Sequence, residues 1–521
     1  MAMDCNKNPA EVPEETVLMI ISQPGEPNDG IRNKNHPYVQ KFSKKRVSCC
    51  CAIVIVLISI GLVYILMYAF KTYSNEPVGT PTTVRMPRRT PMAPITNLPY
   101  IKASESKALG QIMQRMGNSK YDPCDNFYEF ACDGVIKGEE DNINVVIVRN
   151  IVKFNAKISE WKNERNATPN IFNNFDNYYR QCAYTFSEEM KAQCLWKTML
   201  MFDMPLGLAL MEEFDVLEVS ETILGSVIEA AKQLVNEGDW LDSTSKDVAI
   251  KLIDSTNVDL GVPSDFASWE VFEKMSDFCS RVSNVSCPKI DLSKGLFGEL
   301  TFNLDDLYET IYKRKPNRGL LNDELSPLAP GALIDILNKI LSISVAQLMA
   351  ANSSNEYAIN YGFLGFTLAH EFSHYFDEDG WKIYFTWSYL FSKFDEKAEC
   401  IERQYKPQSF LSSTTNDDFA DFSGLEIAYR ALENILGKDG MTKPFADGLK
   451  FTNEQIFFIS HAQNWCTKKE NLGKNIGKLH SPQNLRVLNP LKSSDAFAKA
   501  FNCPVGSPMN PVEKCRIWIK P

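Results

Sequence analysis

Histidine is scarce in this chain, with five in 521 residues. Positive charge is not in surplus: 55 Lys and Arg stand against 65 Asp and Glu, a formal net charge of −10. That balance argues against a nucleic-acid partner, which calls for a basic face. It fits a soluble surface and names no substrate. No internal repeat is found. What the chain does have is length and 44% hydrophobic residues, enough to bury a sizeable core and to divide into more than one folding unit.

Against so few histidines, two placed four residues apart carry information. They stand in Thr367-Leu-Ala-His370-Glu371-Phe-Ser-His374-Tyr-Phe-Asp377. On a helix, His370 and His374 project from one face about one turn apart. Two neutral imidazoles held in that way suit Zn²⁺, and Glu371 beside the first can act as a general base on a metal-bound water. Composition alone gives this pattern in roughly a few of every thousand such chains. The preceding run, Tyr361-Gly-Phe-Leu-Gly-Phe-Thr-Leu-Ala, is apolar enough for a buried helix that aims the motif into a cleft.

Charge is missing from one other place. The first 46 residues are polar and without rhythm, a disordered tail by composition. Val47 to Phe70 then runs 24 residues without a charge, about 36 Å as a helix and enough to cross a bilayer. It lies too deep for a cleaved signal peptide. Lys41, Lys44, Lys45 and Arg46 precede it, which places the N-terminus in the cytoplasm. Cys49, Cys50 and Cys51 at its edge suit either palmitoylation or burial as small apolar residues. The stretch after it, bounded here as 71–101, is rich in proline and reads as an extended stalk.

Of fourteen cysteines, Cys5 and the triplet at 49–51 lie on the cytoplasmic or membrane side. The ten beyond, Cys124, Cys132, Cys182, Cys194, Cys279, Cys287, Cys400, Cys466, Cys503 and Cys515, form an even set suited to an oxidising compartment. Asn166, Asn284 and Asn352 open glycosylation sequons that matter only on a luminal side. The residues between Cys124 and Cys132 read as a helix, on which positions eight apart lie about 12 Å from each other, beyond disulfide reach. Each of the two must therefore find its partner elsewhere.

Most of the remainder has helical periodicity. Phe214 to Asn236 is one such segment, Ser243 to Val258 a second and Leu333 to Met349 a third, while Cys279 to Lys294 reads as a surface excursion. Asp417-Asp418-Phe-Ala-Asp421 opens a further amphipathic helix through Leu425, Ala428, Leu432 and Ile435. Acidic residues at a helix start favour the dipole, which accounts for all three carboxylates on structural grounds. Asp417 and Asp421 also share one face, as a third metal ligand and its supporting partner would.

Several motifs together carry a family resemblance: Asp122-Pro-Cys124 through Cys132, Asp239-Trp-Leu-Asp242, Gly261-Val-Pro263, Asn360-Tyr-Gly, the His370 to Asp377 stretch, Phe457-Phe with Ala462-Gln-Asn-Trp-Cys466, His480-Ser-Pro-Gln-Asn-Leu-Arg486 and Met509 to Trp518. Over 105–518 the chain resembles the neprilysin and endothelin-converting-enzyme family of membrane-anchored zinc peptidases. The resemblance implies that His370, His374 and Asp417 are the zinc ligands and Glu371 the base. It implies that Asp421 completes the family's ExxxD motif, that His480 stabilises the transition state and that Arg486 grips the substrate backbone. It further implies the bridges Cys124–Cys503, Cys132–Cys466 and Cys400–Cys515. The sequence departs from the family in having Asp417 where glutamate is usual, and Lys478 where an acidic residue usually stands two before the histidine. It has no recognisable Asn-Ala-x-Tyr substrate strand. It is also shorter between about Cys194 and Glu213 and between Pro263 and Ser353.

The implied fold is mainly α, a thermolysin-like zinc peptidase catalytic domain with a reduced, mostly helical second domain on a single-pass anchor. The implied order is a tail (1–46), a transmembrane helix (47–70), a stalk (71–101), an N-terminal helical domain (102–263), a connecting region (264–352) and the catalytic domain (353–521). The expected function is hydrolysis of extracellular peptides by a type II plasma-membrane protein, with peptides and the membrane as partners and no nucleic acid. The alternative is a weak or inactive binding ectodomain on the same fold.

Overall fold

A computed structural model describes residues 101–156, 158, 199, 201–281, 290–291, 299–300, 304–316, 326–351, 356–385, 388–405, 414–472 and 480–518. The tail, the uncharged run at 47–70, the stalk to residue 100, Cys182, Cys194, Cys287, Asn166, Asn284 and Asn352 lie outside the described residues. Among the described residues no helix is long and apolar enough to cross a membrane.

Polar residues set where the first helices begin. The Ser106 side chain accepts from the Leu109 amide and opens α1 (Lys107–Met116), which Gly117 closes at φ 60°. Asn126 caps α2 (Phe127–Ile136) by accepting from Glu129. The helix expected to span both cysteines therefore starts later. Cys124 lies in the turn before the cap, its amide bonded to the Asp122 carboxylate, and only Cys132 is helical.

Next come α3 (Ile143–Ala156) and α4 (Asp203–Phe214). The segment expected from Phe214 to Asn236 is divided, because Asp215 adopts left-handed φ 47° after Phe214 and α5 (Leu217–Glu237) starts afresh. Likewise α6 (Ser243–Ser255) stops short of Val258, which enters β1 (Asn257–Gly261). Then follow α7 (Trp269–Arg281), β2 (Ile290–Asp291), β3 (Glu299–Leu300) and α8 (Leu304–Tyr312). Cys279 thus belongs to α7, and Ile290–Asp291 pairs with β3, where a surface excursion was expected.

The helix expected over Leu333 to Met349 is mostly a hairpin. Strands β4 (Ala332–Asp335) and β5 (Ile340–Ser344) pair antiparallel, and only α9 (Val345–Leu348) is helical. A dense Ile/Leu run reads equally as a buried strand or a helix. The turn decides: the Asp335 carboxylate accepts from the Asn338 amide, and Lys339 takes φ 56°. Strand β5 also pairs in parallel with β1, so it is central, and β4 is an edge of this three-stranded sheet.

The apolar approach to the motif is helical and buried except at Tyr357 and Thr367: α10 (Tyr357–Asn360), a π turn (Tyr361–Gly365) and α11 (Phe366–Ser373). A Cβ at Gly362 would lie 2.6 Å from the Phe457 carbonyl oxygen, so only glycine allows this approach to α15 (Asn453–Gln463). Helices α12 (Glu378–Tyr384), α13 (Ser388–Tyr405) and α14 (Thr415–Met441) come between, with α16 (Gln483–Ser493) and α17 (Asp495–Ala500) after. One apolar cluster runs from Ala108 to Trp518, and α11 lies against α14 at its centre.

Disulfides join Cys124 to Cys503, Cys132 to Cys466 and Cys400 to Cys515. The last holds the C-terminal stretch where the Trp518 indole donates to Ser423 Oγ of α14 (2.8 Å). Ser423 Oγ in turn meets Ser373 Oγ of α11 at 2.8 Å.

Candidate metal centre

Helix α11, with His374 as the residue that caps its C-terminus, presents His370, Glu371 and His374 toward the first turns of α14, which carry Asp417, Asp418 and Asp421. The two helices pack this closely because residue 424 has no side chain. A Cβ there would lie 2.8 Å from both the amide nitrogen and the Cα of His370.

The ring nitrogens are divided between supports and a shared point. His374 Nδ1 donates to Asp377 Oδ2 at 2.8 Å, which leaves its Nε2 as the free nitrogen. Asp377 Oδ1 meanwhile accepts from the amides of Asp379 and Gly380 and caps α12, so this carboxylate is fixed at both oxygens. His370 Nδ1 lies 2.9 Å from Asp421 Oδ1, and its Nε2 lies 3.3 Å from Asp417 Oδ1. One donor atom each from His370, His374 and Asp417 falls within 4.8 Å of the others.

The charges decide what this point prefers. His370 is buried, which disfavours its charged form, yet the carboxylates of Asp417 and Asp421 overcome burial and push its pKa up to about 10. Burial likewise works against ionised Asp417, while Arg486, His370 and His480 hold it well below the ordinary carboxylate range. Asp417 Oδ2 lies 3.0 Å from His480 Nδ1 and 3.1 Å from Arg486 Nη2, but is aligned for a hydrogen bond with neither. His370 Nδ1 is likewise close to its carboxylate without alignment. Two imidazoles and a carboxylate converging in a field that favours positive charge form a donor set that fits zinc, with a fourth position left for water or substrate.

Glu371 lies between the two imidazoles in sequence and is 7% exposed, and its carboxylate makes no hydrogen bond with a described residue. Arg486 is buried: Nε and Nη2 each lie 2.7 Å from an Asp421 oxygen, and the guanidinium stacks 3.9 Å above Trp465. Only Nη1 is uncommitted to these carboxylates. The His480 side chain is 57% exposed.

Two residues without a sequence-based role belong here. Asp377 orients His374, and its position three after the second histidine was the available signal. Asp418, in α14 beside the ligand, accepts from Thr414 Oγ1 (3.0 Å), to which Ser481 donates (3.1 Å). That chain ties the segment bearing His480 to the start of α14, and no local pattern announces it. Burial, with the neighbouring carboxylates, pushes Asp418 up to about 7, against the opposing effect of the nearby Ser481 and Thr414 hydroxyls.

The fold is mainly helical, and the motif brings together a convergent donor set with, between the histidines in sequence, a carboxylate that bonds no other described residue. Residues 340–517 match the family described as Peptidase family M13, which bears out the resemblance to neprilysin and the endothelin-converting enzymes. Endothelin-converting enzyme-like 1 of Rattus norvegicus is 28% identical over 355 residues, 64% of this chain and 44% of that protein. Neprilysin-2 of Caenorhabditis elegans is 38% identical over 180 residues, 31% of this chain and 24% of that one. Endothelin-converting enzyme 1 of Cavia porcellus is 33% identical over 186 residues, 32% of this chain and 24% of that protein. The chain thus spans less than half the length of these curated relatives. Among solved structures, the zinc metalloprotease Zmp1 of Mycobacterium tuberculosis shares the fold, with a TM-score of 0.50 at 19% identity over 67% of this chain and 54% of that one.

Proposed function

We propose that the protein is a zinc-dependent endopeptidase that hydrolyses extracellular peptides. The observation that carries the reading is the convergence of His370, His374 and Asp417 beside a Glu371 free of other partners. When bound there, zinc supplies Lewis acidity toward the scissile carbonyl and lowers the pKa of a water. Glu371 takes the proton from the attacking water and later delivers it to the leaving amine. His480, whose Nδ1 is turned to Asp417, offers Nε2 to the developing oxyanion. Arg486 holds Asp421 and Asp417 in place and has Nη1 left for a substrate carbonyl. Strand β4, an edge among the described residues and packed against α11, offers main-chain groups to an extended peptide. This strand does the work of the Asn-Ala-x-Tyr segment with different side chains. The run at 47–70 anchors the enzyme, with the bulk of the chain outside the cell.

One observation favours the alternative of a binding ectodomain: Asp417 already faces three basic side chains, His370, His480 and Arg486. The test is peptide turnover by the full chain with and without a chelator, alongside Glu371→Gln and zinc content. The peptidase reading expects zinc in both proteins, and turnover lower by about 10²–10⁴-fold in the variant. A wild-type protein that binds no zinc and cleaves no peptide establishes the binding reading instead.

A further inference from the structure

Away from the metal centre, a cavity of about 510 Å³ opens between α1, α3, the α4–α5 junction and the segment leading into α11. Its size is that of a small-molecule site. Ile143, Ile147, Val216, Met349, Ile359 and Phe363 give it an apolar side, and about half of its lining is polar. Arg115 stands among them.

Arg115 is 4% exposed, and its one hydrogen-bond partner is Gln463 Oε1, at 3.3 Å from Nη1. A guanidinium carries five N–H donors. Glu140 is near enough to act on it through space, but no described carboxylate forms an ion pair with it. The other buried arginine among the described residues, Arg486, is by contrast held by two charge-assisted hydrogen bonds to Asp421. A desolvated cation short of acceptors is costly unless an anion completes it. Lys107, one of the lining residues from the same helix, adds a second positive group. Asp215 and Glu218 also line the cavity, from exposed positions at its rim, and neither forms an ion pair with Arg115.

We propose that this cavity binds a small carboxylate with an apolar body, its oxygens on the Arg115 guanidinium and its body against Ile143, Ile147 and Phe363. The site is independent of the metal centre and of the peptidase reading. Such a ligand comes either as a free acid or as the last residue of a peptide, and the chemistry at Arg115 is the same for both.

The test measures binding to the full chain by saturation-transfer NMR. The probes are 4-phenylbutyrate for the free acid, N-acetylphenylalanine for a peptide terminus, and 4-phenylbutyramide as the uncharged control. The proposal expects at least one acid to bind, and the amide to bind at least about tenfold more weakly, the worth of one charge-assisted contact. Arg115→Met should keep the volume and lose the preference for the acid, whereas Arg115→Lys should keep part of it. Val146→Trp should fill the cavity and abolish binding with the cation intact. All three variants should keep the zinc content and melting temperature of the wild type within a few degrees. Whichever acid binds more tightly identifies the source. Equal binding of acid and amide, unchanged binding in Arg115→Met or Val146→Trp, or no binding of either acid overturns the proposal.

Discussion

At the residue scale, the centre depends on which nitrogen each imidazole turns inward. Asp377 settles this for His374 while also capping α12. The two duties separate in Asp377→Asn, because asparagine caps a helix as well as aspartate does but carries no charge. Zinc affinity should fall about 10–100-fold with the melting temperature nearly unchanged, as read by metal-buffered titration and thermal melts. An unchanged affinity would leave Asp377 as a cap alone. The placing of the histidines and Glu371 together was legible in the sequence because a four-residue spacing on one helix fixes it. The support from Asp418 through Thr414 and Ser481 was not, since it joins segments 67 residues apart. Arg115 was equally silent: as an arginine in an amphipathic helix it reads as a solvated charge, and only packing reveals it as buried.

At the element scale, the separation of α11 and α14 is set by Gly424. In Gly424→Ala the added methyl meets His370 backbone, which cannot swing away as a side chain would. The helices must part, at a cost of about 1–3 kcal/mol typical of overpacking. Zinc content should drop along with the melting temperature; a variant with full zinc and wild-type stability would show that the contact tolerates a Cβ. The sheet makes a separate prediction. Burial pushes Asp259 of β1 up from 3.8 to about 6, only partly offset by the Ser342 hydroxyl 3.5 Å away. A carboxyl whose pKa is raised by folding is harmless while protonated in both states and costs stability once pH passes its unfolded value. Stability should therefore fall between about pH 4 and 6 from this group. Asp259→Asn should remove that part of the slope, raising the melting temperature at pH 7.5 but hardly at pH 4; equal gains at both would assign the effect to something other than charge. The hairpin beside it shows where periodicity fails: apolar density between 333 and 349 fits either element, and the choice rests on Asp335 and Lys339 in the turn. Long α14 was readable because its Leu425, Ala428, Leu432 and Ile435 face was long enough to leave no second solution.

At the scale of the whole molecule, the proposed topology makes Asn166, Asn284 and Asn352 luminal. Glycosidase treatment of the protein from a eukaryotic host should increase its gel mobility, and a chain with no glycan at any of the three would place its bulk on the other side of the membrane. The same scale governs the bridges. Cys124 and Cys503 are 379 residues apart, and Cys132 and Cys466 are 334 apart. At the pace of synthesis, 5–20 residues per second, the partner of Cys124 arrives on the order of 20–75 s after it. Throughout that interval Cys124 and Cys132 are open thiols in a chain that has already delivered Cys182, Cys194, Cys279 and Cys287 as wrong partners. In the proposed topology the native pairing is thus a matter of waiting, and the amount of folded protein a cell makes depends on how well its oxidising machinery protects or repairs two early thiols until Cys466 and Cys503 have been made.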